Sequence, residues 1–397
     1  MKKIKVLRII ARLNIGGPAI HTILLTEGLD GRRFESLLVY GRLSQGEGDI
    51  SYYAREKNIA THFVPELKRE LNFFSDIIAF YKIYKIIITE QPDIVHTHTA
   101  KAGGVGRTAA ILYNFIHRNK KIKLVHTFHG HIFDGYFSKI KSRFFIFIER
   151  FLALFTCQII TVSESIKNEL ISLGISKERK IKVIPLGLEL DKFLSLPERR
   201  DIDLNIGIIG RLVPVKNHRL FLEAAAMVIS DNQAIRIKFK VIGDGELRGM
   251  LEEYSRKLKI NNYLDFLGWQ KDLVKAYSGL DIVALTSINE GTPVSLIEAM
   301  ASGKAVVATD VGGIKDLLGD ETNTKIKPNG SFKILERGIM VMPGDSLGFA
   351  QALNLTIQDG NLRREMGLRA RNFAKTEFTK DRLIKDVESL YLAILSY

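Results

Sequence analysis

Leu280-Asp-Ile-Val-Ala-Leu-Thr286, followed by Glu290-Gly-Thr-Pro-Val-Ser-Leu-Ile-Glu298, decides the fold. The first run is short and apolar and reads as a buried strand. The second predicts a helix start, with Thr292 as N-cap and Pro293 at the first helical position. Val294, Ser295 and Leu296 then present backbone N–H groups at the positive end of a helix dipole, a site for phosphate. Glu290 precedes that end, and Glu298 lies about a turn and a half inside it. A ligand with a diphosphate between two sugars would meet both carboxylates. The competing reading is an N-capped amphipathic helix whose glutamates are solvated.

Working outward, Asn205-Ile-Gly-Ile-Ile-Gly-Arg-Leu-Val-Pro-Val-Lys-Asn217 reads as a strand ending at Gly210, a loop carrying Arg211 and Lys216, and a helix from Asn217 or His218. In a doubly wound parallel sheet, ligands sit outside the carboxyl ends of the strands, where this loop and the Glu290 loop both lie. Arg211 offers a forked contact to phosphate oxygens and Lys216 a point charge, so the two can offset a diphosphate without a metal.

The same rhythm runs through the chain. Strands are expected at 5–10, 35–40, 61–64, 94–97, 124–127 and 158–162, then at 206–209, 238–242, 264–267, 281–285, 305–309 and 338–341. Alternation with helical segments predicts an α/β architecture of parallel sheets. At 397 residues the chain exceeds one core, and the turn-rich, charged stretch from Pro185 through Asp201 is the boundary candidate. Domains are expected at 1–190 and 191–375, with 376–397 as a terminal helix whose Leu383, Val387, Leu390, Tyr391 and Ile394 need a surface to cover. The segment 320–336 reads as a lengthened loop, a flap or a partner contact.

In the first half, Arg12-Leu-Asn-Ile-Gly-Gly-Pro-Ala-Ile-His21 follows strand one and opens a helix near Pro18. Gly16 and Gly17 allow a phosphate or sugar oxygen to approach the backbone, or form a tight structural turn. His126-Thr-Phe-His129-Gly-His131 invites a zinc reading. It lacks a cysteine or nearby acid before Asp134 and the helical two-histidine spacing of hydrolytic sites, so no metal is expected. Gly104-Val-Gly106 imitates a dinucleotide fingerprint, yet the acidic residue required about twenty positions later is missing. Small residues in a helix packed on a sheet explain it better. Asp201-Ile-Asp203 reads as a solvated turn.

Residues 101–150 hold ten Lys or Arg against two acidic residues, a balance of +8 within a total of +14. There Gly135 to Phe151 interleaves basic and aromatic side chains. This suits a helix on an anionic membrane surface, or a core helix with a solvated basic face. The apolar run Phe144 to Phe155 is broken by Glu149 and Arg150 and is too short to span a bilayer. A single cysteine, Cys157, and no cleavable leader give the expectation of a cytoplasmic protein, peripheral on the inner face of the membrane.

Gly210-Arg211-Leu-x3-Lys216-Asn217, Val241-Ile-Gly-Asp-Gly-Glu246, Glu290-Gly-x6-Glu298-Ala-Met-Ala-x-Gly303 and Val311-Gly-Gly313, in that order, resemble retaining glycosyltransferases of family 4. The resemblance implies a GT-B fold of two Rossmann-like doubly wound domains facing a cleft, with the terminal helix docked on the first. It implies a nucleotide-sugar donor, with a UDP-sugar expected, and a saccharide or lipid-linked acceptor in surface polysaccharide or lipopolysaccharide synthesis. No cofactor is implied. Donor-binding residues would be Gly16, Gly17, Arg211, Lys216, Gly291, Thr292, Pro293, Val294, Ser295 and Glu298, with Glu298 on the ribose. Catalytic residues would be His129, Arg211, Lys216 and Glu290, with His129 and Glu290 near the transferred sugar. Two rivals stand beside this: a nucleotide-sugar epimerase on the same scaffold, and a nucleic-acid binder prompted by an isoelectric point near 9.6. The second lacks any recognition signature, and no nucleic-acid partner is expected.

Overall fold

The computed structural model describes residues 2–396 apart from 30, 32, 45, 119, 131–138, 200–202, 233 and 323–331. The chain forms two compact units, Met1–Leu188 with Thr379–Tyr397, and Glu189–Phe378.

The first unit runs β1 (Ile4–Ile10), α1 (Gly17–Leu29), β2 (Phe34–Tyr40), α2 (Ser51–Glu56), β3 (Thr61–Phe63), α3 (Phe73–Glu90), β4 (Ile94–His98), α4 (Ala100–Ile116), β5 (Lys123–Phe128), α5 (Lys139–Phe155), β6 (Gln158–Thr161), α6 (Glu164–Ser172) and β7 (Ile181–Val183). The second runs α7 (Asp191–Leu194), β8 (Leu204–Ile209), α8 (His218–Asp231), β9 (Ile237–Ile242), α9 (Arg248–Lys257), β10 (Leu264–Gly268), α10 (Leu273–Ser278), β11 (Ile282–Leu285), α11 (Val294–Ala301), β12 (Ala305–Thr309), α12 (Ile314–Leu318), β13 (Phe332–Leu335), β14 (Gly338–Val341), α13 (Ser346–Gln358) and α14 (Gly360–Glu377). The last helix, α15 (Lys380–Leu395), belongs to the first unit.

The first sheet has the order β3-β2-β1-β4-β5-β6-β7 and is parallel throughout. Alternation along β1 divides its two faces. Leu7 and Ile9 pack with α3 and α4 through Ala79, Ile83, Ala109 and Tyr113. Val6 packs on the opposite face, with Leu25 and Leu29 of α1 and with Leu383, Val387, Leu390 and Tyr391 of α15. The terminal apolar stripe thus covers the sheet that the chain began with.

The second sheet has the order β10-β9-β8-β11-β12-β14-β13. All neighbours are parallel except β13 and β14. That hairpin corrects two expectations, a wholly parallel sheet and an unstructured 320–336. Phe332 and Ile334 enter the core, and the chain turns back at Glu336 and Arg337. The remainder of that stretch, 323–331, lies outside the described residues. β7 was also missed, because three residues carry too little periodicity to register. The Gly104-Val-Gly106 string lies inside α4. A Cβ on Gly106 would fall 2.8 Å from Thr97 and 2.9 Å from Ile9, so the glycine lets this helix lie close on β1 and β4.

Candidate functional site

In the second unit, the loops after β8 and β11 leave adjacent strands and meet. Lys216 Nζ lies 2.5 Å from Glu290 Oε1, and the Ser287 hydroxyl donates to the same oxygen at 2.6 Å. The Lys216 carbonyl accepts from Thr286 Oγ1 at 2.9 Å, and Ile288 N–H donates to Val215 O at 2.9 Å. These bonds hold the two loops in one register. Arg211 is half-buried beside them and has no side-chain hydrogen bond or ion pair among the described residues. His218, first in α8, is buried with both ring nitrogens unpartnered. Burial, and then the Lys216 ammonium, push its pKa down to about 4, so it is a neutral imidazole.

α11 starts one residue later than the sequence suggests. Pro293, with ψ of 119°, is its N-cap, and no side chain caps it. Thr292 Oγ1 is buried without a hydrogen-bond partner, so Thr292 is not the cap. One amide also drops from the expected set: Leu296 N–H donates to Pro293 O at 3.1 Å. Val294 and Ser295 remain as the N–H groups of the helix tip. The loop after β12 braces this tip: Gly313 N–H donates to Gly291 O at 3.0 Å, and a Cβ on Gly313 would fall 2.6 Å from that oxygen.

Glu298 is met by a residue the sequence reading missed. The Tyr277 hydroxyl, buried on α10, lies 2.7 Å from the Ser295 carbonyl oxygen and 3.0 Å from Glu298 Oε2. Burial pushes the Glu298 pKa up to about 7, against the Tyr277 hydrogen bond, which lowers it. One O–H serves one acceptor at a time, and a protonated Glu298 supplies the second hydrogen.

In the first unit, β4 and β5 end in a histidine cluster. His98 Nδ1 and His129 Nε2 are 3.0 Å apart, and the His21 ring of α1 stands edge-on to His129 with centroids 5.0 Å apart. Ring nitrogens of His21, His98 and His129 lie within 4.8 Å of one another. Burial pushes His129 down to about 3 and holds His21 and His98 well below the usual imidazole range. Below them, His96 accepts or donates at 2.6 Å to the Tyr391 hydroxyl of α15 and at 2.7 Å to Thr127. His126 turns away to Thr97 at 2.8 Å, and His131 lies outside the described residues. The trio suggested by spacing is therefore replaced by His21, His98 and His129, which strand order assembles. Three neutral imidazoles are a donor set for a transition metal. The buried guanidinium of Arg8 acts on His21 and His98, however, and the charge of Arg382 on His21, so a cation there would face like charge. Gly16 precedes α1, the helix that carries His21, and Gly17 opens it, and both glycines are half-buried.

Family models account for both units. That of Glycosyltransferase Family 4 matches residues 15–192, and that of Glycosyl transferases group 1 matches residues 197–373. The chain belongs to glycosyltransferase family 4. It is 27% identical to the UDP-Gal:alpha-D-GlcNAc-diphosphoundecaprenol alpha-1,3-galactosyltransferase of Escherichia coli, over 92% of this chain and 94% of that one. It is 26% identical to the capsular polysaccharide biosynthesis glycosyltransferase CapM of Staphylococcus aureus, over 85% and 86%. Anabaena HepE in complex with UDP-glucose superposes with a TM-score of 0.77 at 21% identity, covering 98% of this chain and 99% of that one. The fold is GT-B, two Rossmann-like parallel-sheet units.

Of the expected residues in this glycosyltransferase, Lys216, Glu290, Gly291, Thr292, Pro293, Val294, Ser295 and Glu298 lie in the second unit on the two bonded loops and the helix that follows, with Arg211 on the same loop as Lys216. Gly16, Gly17 and His129 belong to the first unit. Tyr277, His218, His21 and His98 are the additions. Tyr277, His21 and His98 meet residues well separated from them in sequence, whereas His218 follows Lys216 by two positions.

Proposed function

We propose that this glycosyltransferase moves a sugar from a UDP-sugar to a saccharide or lipid-linked acceptor with retained anomeric configuration, in surface polysaccharide or lipopolysaccharide synthesis. The observation that carries the reading is the convergence of Lys216, Arg211 and the Val294 and Ser295 amides in one unit, with Glu290 and Glu298 flanking them. Arg211 forks onto the diphosphate, Lys216 adds a point charge, and the helix tip offers its N–H groups. Glu298 accepts from the ribose hydroxyls in its ionised form. In the second unit Glu290 serves the transferred sugar, and in the first the neutral His129 is a hydrogen-bonding group for a sugar.

The chemistry is stabilisation of the leaving group. The bond from the anomeric carbon to the phosphate oxygen breaks, and its electron pair departs with UDP. The acceptor oxygen attacks from the same face, and its proton passes to the departing phosphate oxygen. The scheme uses no metal, because Arg211 and Lys216 supply the positive charge. The name of the Escherichia coli relative and the UDP-glucose bound by HepE support a uridine donor, and the diphosphoundecaprenol in that name supports a lipid-linked acceptor.

A panel of nucleotide sugars read by thermal denaturation tests the donor. Ligand at a hundred times its Kd stabilises by about 2.7 kcal/mol. UDP-sugars are expected to raise Tm, and a panel in which none does so overturns the reading. Incubation with donor alone separates the epimerase, which would convert it without an acceptor.

A further inference from the structure

We infer that the outer face of α3, α4 and α5 docks on an anionic phospholipid bilayer, and that the first turns of α3 are the part that enters it. This rests on, and deepens, the reading that the acceptor is lipid-linked. α3 is apolar nearly all round. Ala79, Ile83, Ile86 and Ile87 face the core, while Leu71, just before the helix, and Phe73, Phe74, Ile77, Ile78 and Tyr81 are exposed, Phe73 by 74% and Phe74 by 76%. A helix apolar on every side belongs in a core or a membrane, and no described part of the protein covers this one. α3 packs along α4, and α4 along α5. Phe115 of α4 and Phe144, Phe147, Phe151 and Leu154 of α5 are exposed as well.

Charge selects the occupant. α4 has no acidic residue, and the one in α5, Glu149, is buried and held by Arg107 Nη2 at 2.6 and 2.8 Å. In α3, Asp76 is paired with Lys101 and Glu90 with Lys5. The acids are thus used internally. Lys85, Arg118, Lys141 and Arg143 are exposed and make no ion pair among the described residues. Lys85 lies 4.7 Å from the Tyr81 ring centroid and Arg118 6.0 Å from that of Phe115. Aromatic rings beside unpaired cations match the boundary between acyl chains and anionic headgroups. A protein partner that buried this face would need carboxylates set among large apolar side chains, whereas a lipid surface supplies both everywhere.

Position adds the functional link. Lys101, on the first turn of α4, pairs with Asp76 and donates to Glu70 O at 3.2 Å, clamping the start of α3. That turn of α4 follows His98 directly, and His98 touches His129. The exposed tip therefore sits at the carboxyl edge of the first sheet, beside the histidine cluster, where the sugar end of a membrane-held acceptor would arrive.

The test is sedimentation of the full chain with phosphatidylcholine vesicles and with mixed phosphatidylcholine–phosphatidylglycerol vesicles, without substrate, at low and high salt. Binding is expected only with phosphatidylglycerol and weaker at high salt. The F73S/F74S variant is expected to bind about tenfold or more weakly and to keep its thermal stabilisation by UDP. Wild-type protein that ignores anionic vesicles, or a variant that binds as well as wild type, overturns the proposal. So does light scattering that shows a dimer which the double substitution dissociates, since a second copy would then own the face. Activity on a lipid-linked acceptor in vesicles but none on its water-soluble analogue, with F73S/F74S equal to wild type, would also overturn it. UDP stabilisation lost in wild type would instead fault the donor reading and leave the vesicle result standing.

Discussion

The ammonium of Lys216 sits 2.5 Å from a carboxylate oxygen of Glu290, 74 residues further along the chain. The pair joins the loops of two neighbouring strands, and both groups are largely shielded, with side-chain exposures of 20% and 11%. A diphosphate that reaches Lys216 must therefore share it with Glu290 or take it.

Substituting Lys216→Ala is expected to lower kcat on the order of a hundredfold, the loss of a few kcal/mol of charge stabilisation in the transition state. Glu290→Gln is expected to leave UDP binding as tight or tighter, since the competing carboxylate is gone, while turnover falls. Steady-state kinetics with titration calorimetry of UDP measure both. An unchanged kcat in Lys216→Ala removes that residue from the leaving-group role.

Glu298 gives a pH dependence. Its folded pKa of about 7 lies above the ordinary glutamate value of 4.5, so its neutral form suits the fold. The stability this contributes is complete below pH 4.5 and is lost as pH rises through about 7. Donor binding runs the other way, because the ionised carboxylate is the acceptor for ribose hydroxyls. The KM for donor is expected to fall between about pH 6 and about pH 8 and to lose that dependence in Glu298→Gln. A wild-type profile flat across that range contradicts the role.

Gly313→Ala forces a methyl group toward the Gly291 carbonyl, 2.6 Å away. A stability loss of about 1–3 kcal/mol is expected from the overpacking, with weaker donor binding as the α11 tip shifts. Urea denaturation and UDP titration read the two effects. A variant equal to wild type in both shows that the loop yields freely.

The buried histidines make the fold acid-sensitive. His21, His96, His98, His126, His129 and His218 all have folded values below the unfolded value of 6.5, with His129 at about 3 and His218 at about 4. Their contribution is complete above pH 6.5 and is lost as pH falls toward those values. Each one can subtract up to about 1.4 kcal/mol per pH unit in that window. Urea midpoints are expected to drop steeply below about pH 6. Midpoints level down to about pH 4 would mean that the imidazoles are not buried neutral.

Tyr391→Phe deletes the hydroxyl that meets His96 at 2.6 Å and leaves a buried ring nitrogen unpaired. A loss of about 1–3 kcal/mol is expected in denaturant unfolding. No loss would mean that this hydroxyl adds nothing to the hold on α15.

Much of this was legible in sequence because the signals were local. Ala305–Thr309 and Gly338–Val341 are strands as read, since a short apolar run between turns has few alternatives in an α/β chain. The apolar positions 383, 387, 390 and 391 showed that the last helix needed a surface. Helix capping was less legible: Thr292 has the chemistry of an N-cap, yet the backbone turns at Pro293 and leaves its hydroxyl unpartnered.

By itself the sequence determined the alternation of strands and helices, the place of Arg211, Lys216 and Glu290 in loops after strands and of Glu298 in the helix that follows, and the excess of positive charge in residues 101–150. These depend on periodicity and composition, which a window of a few residues contains. Tertiary structure alone decided that Tyr277 meets Glu298, that His21, His98 and His129 converge while His126 turns away, and that the apolar side of α3 stays uncovered. Those outcomes depend on strand order and on which helix covers which face of a sheet, relationships between residues tens to hundreds of positions apart that no local pattern encodes.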